Sequence, residues 1–536
     1  MLTPMILLDL VRPMAVVCSF CGGDVVEDRE ISCAMWGGNP CSACEERAHI
    51  RDQIKRLEEE ILKLKAKHHA LGTTMNAIHD PFIHKLPSEL ASNIFQLSLP
   101  IREIHSEPVQ KLLLRTLKLG AVCRKWRQLA WSTPDLWAIL FLNIGPSTPL
   151  LESLPGLIEE WLERSGALPL TIFFHQHDGY SERSQAYEFA IKRIIAAMNL
   201  HSGRWRNLYL DVVADIPGRL SGSTHPNQLF RLDLAINGRR SLTQNFTMKS
   251  KPFPTHLTLR NLSSTSINIG WDNVTRAAVY SLTAVECVEI FRRAPALEYF
   301  CASIKHSDDP TANADAFTVH PRIRSLNLLD KAKKFLDIIN VPSLEEWTHC
   351  STGVRLPVSA MISLLKRSGC CLKILNLQQI SSNSSNLAIL FQAMPSLERL
   401  QIHFRQSTKH CNDEMGDILG RIFRSPPDDN ITPPPDTNRE IFLPRLQFIE
   451  CTAESGNYTH MAPISWDGVP QLYRQGPRPS LTLKSVANTF QTTNETTLEL
   501  LKLVDEGAKF LISDNFVGGD FLANFRKRMG LEGSRS

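Results

Sequence analysis

The chain of 536 residues carries 59 Lys and Arg against 55 Asp and Glu, a formal charge of +4 that is too even to draw it as a whole to nucleic acid or anionic lipid. Hydrophobic residues make up 43% and charged residues 21%, which excludes wholesale disorder and fibrous repeats; at roughly 100–200 residues per domain the chain should form several folded units. The apolar opening from Met1 to Val17 is broken by Pro4, Asp9, Arg12 and Pro13 and has no basic residue ahead of it, unlike a signal peptide. No window offers the roughly 18 uninterrupted apolar residues of a membrane helix. These features predict a soluble, cytoplasmic or nuclear protein with reduced thiols, no membrane partner and no nucleic-acid partner, since phosphate binding needs a basic stripe.

Residues 1–49 form a cysteine-rich head. Cys18 and Cys21, then Cys41 and Cys44, make two C-x2-C pairs separated by 19 residues, a spacing that suits four thiolates around one tetrahedral structural zinc. Cys33 and His49 are substitute ligands, and these six donors are too few for the eight of a two-zinc RING. A reduced, metal-free head is the alternative reading, because the flanking residues supply little core.

Residues 50–78 read as a heptad helix. Ile50, Ile54, Leu57, Ile61, Leu64, Leu71, Met75 and Ile78 alternate steps of four and three, with His68 out of character. Placing Ile54 and Ile61 at position a puts Leu57 and Leu64 at d, and Glu60 at g reaches Lys65 at e across a parallel pair. Residues 50–71 are therefore a candidate homodimer seam, and the competing role is packing against the rest of the same chain.

Residues 80–142 open with Leu86-Pro87-Ser88-Glu89-Leu90. Pro87 and Glu89 are helix-start residues, and Leu90, Ile94 and Leu97 follow as one apolar stripe. A second helical text leads to Val122-Cys123-Arg124-Lys125-Trp126, and the segment closes with Thr133-Pro134-Asp135-Leu136-Trp137. This ordered set, including the Ile94-Phe95 pair, resembles the F-box, a three-helix module. The stretch between Leu97 and Leu112 is longer than a minimal F-box linker. The resemblance implies docking on a Skp-type adaptor of a cullin-RING ubiquitin ligase through Leu86, Pro87, Leu90, Ile94 and Val122. It implies a module core of Phe95, Cys123, Trp126, Leu136 and Trp137.

Residues 143–200 are expected to be a helical linker or first repeats, and residues 201–505 a repeat array. Within the array a six-residue text recurs, as in Trp205 to Leu210, Leu229 to Leu234, Ile323 to Leu328, Leu372 to Leu377 and Leu397 to Ile402. Looser copies start at Pro254, Leu297, Leu344 and Leu446. Most spacings fall within the 20–29 residues of a leucine-rich repeat, and the two long gaps each have room for a missed unit. Helical stripes such as Val358, Ile362 and Leu365 lie between the strands. The Pro-rich stretch 425–440 interrupts the array, a helix around Leu500 caps it, and 506–536 is a tail.

The expected fold class is therefore α/β, with an N-terminal helical segment and a three-helix F-box followed by an irregular leucine-rich-repeat solenoid. The whole resembles F-box domain-containing proteins with irregular leucine-rich repeats, of the fungal F-box-like type. The resemblance implies a non-catalytic substrate receptor of a Skp-cullin-F-box ligase, with an unnamed protein substrate on the outward polar residues of the strands. The alternative is a coiled-coil and leucine-rich-repeat scaffold without a ligase role. No Gly-rich phosphate loop, G-x-S-x-G elbow or H-E-x-x-H helix occurs, so no catalytic residue and no cofactor beyond the zinc is assigned.

Overall fold

Alternating Leu-x-Leu texts and one-face helical stripes can bury their apolar sides only against one another. The computed structural model describes residues 42–79, 86–98, 110–145, 148, 151–176, 184–237, 245–305, 317–329, 332–351, 355–380, 387–404, 417–423, 442–453, 464–476, 478–486, 490–513 and 519–531. Cys18, Cys21, Cys41 and the Pro-rich stretch 425–440 lie outside the described residues.

The first helix, α1 (Ser42–His79), is longer than the heptad text and spans 38 residues, about 57 Å at 1.5 Å per residue. It takes in Cys44 as well. Its seam from Ile50 to Met75 is 48–58% exposed at every apolar heptad position.

Three helices follow: α2 (Ser88–Leu97), α3 (Gln110–Val122) and α4 (Arg124–Trp131), then a 3-10 turn at Pro134–Trp137. The continuous helix expected through Val122 to Trp126 is instead broken at Cys123. The side chain of Arg127 bridges that break, its Nε donating to the Gly120 carbonyl at 2.8 Å.

From Ile139 onward the chain lays down one open, all-parallel sheet of fourteen strands in strict chain order. The strands are β1 (Ile139–Ile144), β2 (Leu170–Gln176), β3 (Trp205–Val213), β4 (Arg231–Asn237), β5 (His256–Arg260), β6 (Arg276–Leu282) and β7 (Tyr299–Ile304). They continue with β8 (Ser325–Leu329), β9 (Glu346–Cys350), β10 (Ile374–Ile380), β11 (Arg399–Phe404), β12 (Phe448–Ala453), β13 (Thr482–Val486) and β14 (Lys509–Ser513). Residues 143–200, expected as a helical linker or first repeats, contain α5 (Leu154–Arg164), β2 and α6 (Gln185–Leu200).

The segment after 505 departs from the expected tail, because it supplies β14 and the helix at Phe521–Arg528. The helix at Asn494–Asp505, read as an end cap, is a crossover between β13 and β14. The tail reading failed because Phe510 and Ile512 are a single short alternation, yet both are buried on the sheet.

In-register pairing stacks like on like. One inward row runs Leu140, Ile172, Leu208, Leu232, Leu257, Ala277 and Phe300, then Leu326, Trp347, Leu375, Leu400, Ile449, Leu483 and Phe510. All are apolar and at most 4% exposed. Crossover helices cover this side: Phe291 of α7 (Ala284–Arg293) meets Phe300 edge-on at 4.9 Å, and Phe335 of α8 (Lys333–Ile338) lies 5.5 Å from Phe291. Fully burying each such side chain contributes about 1.5–3 kcal/mol, so the sheet is held mainly by these rows. Among the described residues, no helix is long and apolar enough to cross a membrane.

Candidate protein-docking surfaces

The helix α2 carries two apolar stripes with opposite fates. At about 100° per residue, Leu90, Ile94 and Leu97 cluster within roughly 60° of one another, while Ala91 and Phe95 lie near 100° and 140° from Leu90. Ala91 and Phe95 are each 1% exposed; Leu90 is 50%, Ile94 41% and Leu97 85% exposed. The buried stripe anchors the helix, for the Phe95 ring lies 4.8 Å from that of Trp126 and the Ser92 hydroxyl meets that of Thr133 at 2.9 Å. The other stripe is left bare. Pro87 is exposed and Leu86 half-buried at the helix entry, and Val122 is 49% exposed at the end of α3.

The residues expected in the module core differ in burial. Leu136 and Trp137 are each 1% exposed, and the Trp137 indole N–H donates to the Ala130 carbonyl at 2.8 Å, satisfying its buried polar atom. Cys123 and Trp126 are half-buried instead, the first because it occupies the break between α3 and α4. Leu97, the third member of the stripe, is 85% exposed and adds to the bare surface.

Trp137 also reaches outside the three helices. Its ring meets Trp161 of α5 edge-on at 4.7 Å, and Trp161 Nε1 donates to the Ile139 carbonyl at 3.2 Å. The Arg164 guanidinium lies 4.4 Å from the Trp131 ring and 4.8 Å from that of Trp137. The helices at 92–122 and 126–137 thus share packing with the first strand and crossover of the sheet.

The outward residues of the strands form a second surface. At its start Phe141, Phe173 and Tyr209 stack at 4.5 and 4.3 Å, with Arg231 5.1 Å from the Tyr209 ring. Farther along, Arg260 lies over Tyr280 and Arg276 over Tyr299. Burial, more than the opposing pull of Arg260 and Arg231, raises the Asp233 carboxyl above the usual carboxylate range. Burial also pushes the Tyr280 phenol up to about 12, with Cys301 adding to the shift.

From β10 to β12 the face becomes an amide-rich groove lined by Asn376, Gln378, Gln379, Gln401, His403 and Glu450. Gln401 Nε2 donates to Glu450 at 2.8 Å, Lys484 Nζ pairs with the other Glu450 oxygen at 2.8 Å, and His403 Nδ1 meets Thr452 Oγ1 at 2.6 Å. Gln379 takes a left-handed backbone, φ 52°, where the β10–β11 register slips. Such a fixed set of donors and acceptors can read a polar partner. Burial raises the buried Cys287 and Cys451 thiols, and pushes Cys370 up to about 11, so these thiols stay protonated. Among the described residues, no group of three or more metal-ligating side chains converges.

The bare stripe of α2 stands on a helix whose Phe95 packs on Trp126, and Leu136 and Trp137 are buried close after in the chain. Residues 83–143 match the F-box-like family model. F-box domains in general bind Skp-type adaptors and serve as substrate adaptors of Skp-cullin-F-box ubiquitin ligases. The chain carries an F-box-like domain, whose matched stretch ends inside β1. A search of curated proteins returned no match.

Proposed function

We propose that this F-box protein is the substrate-recognition subunit of a Skp-cullin-F-box ubiquitin ligase, itself non-catalytic. Leu86, Pro87, Leu90, Ile94 and Val122 dock the adaptor, and the sheet with its crossover helices is an irregular leucine-rich-repeat solenoid whose outward face holds the protein substrate. The observation that carries the reading is the bare Leu90, Ile94 and Leu97 stripe on a helix whose other apolar side is fully buried. A monomer has no use for such a stripe, since exposed apolar patches mark interaction sites. A protein partner is supported by the amide groove at β10 to β12, whose side chains offer hydrogen bonds, and by the aromatic row at β1 to β3, where Phe173 and Tyr209 are partly exposed.

Adaptor capture by the intact chain, compared with a Leu90→Ala, Ile94→Ala variant while ligase activity is blocked, tests both halves. The variant should lose adaptor and keep substrate. Deleting residues 80–142 would not separate the two, because Ile139 to Leu142 belong to β1 and their loss removes part of the sheet. The four cysteines Cys18, Cys21, Cys41 and Cys44 belong to the same proposal as the ligands of one structural zinc, supported by their spacing alone.

A further inference from the structure

The exposed seam of α1 is an apolar strip that docking on an adaptor or a substrate leaves unused. We infer that two copies of this chain pair through α1 as a parallel, in-register, two-stranded coiled coil. Ile54 and Ile61 occupy position a, and Ile50, Leu57, Leu64 and Leu71 occupy d, the branched-at-a and leucine-rich-d pattern that favours two parallel strands. Each of these six side chains is 48–58% exposed, and monomeric proteins rarely leave so continuous an apolar strip in water.

Charge fixes the orientation. In a parallel pair, position g of one strand meets position e of the next heptad on the other, which brings Glu46 to Arg51 and Glu60 to Lys65 of the second copy. The two remaining contacts, Gln53 with Glu58 and Lys67 with Gly72, oppose no like charges. A helix docking on a globular surface needs neither the seven-residue period nor this order of signs. His68 at position a fixes the register, since any slipped alignment sets each imidazole against an aliphatic layer instead of its twin. The pairing is independent of the adaptor reading and would make whatever the chain binds bivalent.

Sedimentation equilibrium on the full chain at micromolar concentration tests it. The expected mass is twice the 60.4 kDa of one chain. Leu57→Asp with Leu64→Asp, which sets unpaired charge in the seam, should return the single-chain mass through a weakening on the order of 100-fold. His68→Ile should tighten the pair severalfold. Glu60→Lys mixed with Lys65→Glu should form mixed pairs above the statistical half, because each mixed pair restores both ion pairs while each like pair opposes like charges. A wild-type chain that stays single at about 50 μM, a range in which specific pairs assemble, overturns the inference. So does capture of a different protein's helix in place of a second copy, and random pairing of the two charge variants overturns the parallel register.

Discussion

Replacing Leu90 and Ile94 together by Ala separates docking from folding. Both side chains are already about half in water, at 50% and 41% exposure, so little buried area is lost in the free protein. Surface changes of this kind cost within about 0.5 kcal/mol each. In a complex the same side chains become central, and truncating such an anchor costs about 1–2 kcal/mol. The pair should therefore weaken adaptor binding by roughly 30- to 1,000-fold, taking 1.4 kcal/mol per decade. Phe95→Ala, one residue from Ile94, is the control: it is 1% exposed against Trp126, and emptying such a site costs about 3–5 kcal/mol of stability. Interferometry with purified adaptor, run beside thermal melting, reads both effects. Undiminished adaptor affinity in the double variant, or a melting loss as large as that of Phe95→Ala, would refute the assignment of the two stripes.

Arg399→Glu with Arg324→Glu should change which proteins the chain captures while adaptor affinity holds; the loss of Arg399 from its place 4.4 Å over Phe448 costs stability only about 0.5–1 kcal/mol. Trp137→Ala should lower the melting of helices and sheet together, by about 3–5 kcal/mol, and two separate transitions in calorimetry would show that they do not share a core. Burial lowers His320 below the usual imidazole range, with Arg322 acting in the same sense against a bond to the Ala294 carbonyl. Its neutral form binds fewer protons than the unfolded chain below about pH 6.5, so stability is full above that pH and falls as pH drops toward the depressed value. His201 and His256, both lowered first by burial, act in the same sense; chemical denaturation at pH 7.5 and 5.5 should show the loss, smaller in His320→Gln. Native mass spectrometry of the reduced full chain should find one zinc, absent from Cys18→Ser with Cys21→Ser, whereas a zinc-free wild-type chain assigns the head to its metal-free reading.

How much was legible depended on whether a strand spelled its inward residues with leucine. Leu375 and Leu377, expected to face inward, are both 0% exposed, and Asn376 and Gln378 beside them are only partly buried. The gap between Pro254 and Leu297 does hold a missed unit, β6, whose inward residues are Ala277 and Val279; small side chains pair in register with Phe300 and Ala302 and carry no leucine signal. The gap between Leu397 and Leu446 is different, because β11 pairs directly with β12. Strands β1 and β2 were missed for another reason: Phe141 and Phe173 make their outward rows apolar too, which erases the alternation that marks a half-buried strand. On α2 the sequence supplied both stripes but not their assignment, since periodicity alone does not tell which of two adjacent apolar faces meets the protein and which meets a partner.

The end of the F-box-like match at residue 143 falls one residue short of the end of β1, so the matched stretch and the parallel sheet share a strand. Trp137, bonded to Ala130 behind it and packed on Trp161 ahead, makes that junction part of one core. Position along the sheet is then a fixed distance from that junction. At about 4.8 Å per strand step, the amide groove on β10 to β12 lies nine to eleven steps from β1, roughly 43–53 Å along the sheet, whereas the aromatic stack begins at β1 itself. A flexible linker would blur that difference by letting either patch present its cargo at many distances. Each patch instead stands at its own step along the sheet, so under the receptor role proposed above the same partner held at the groove or at the aromatic stack would meet a ligase at different reach.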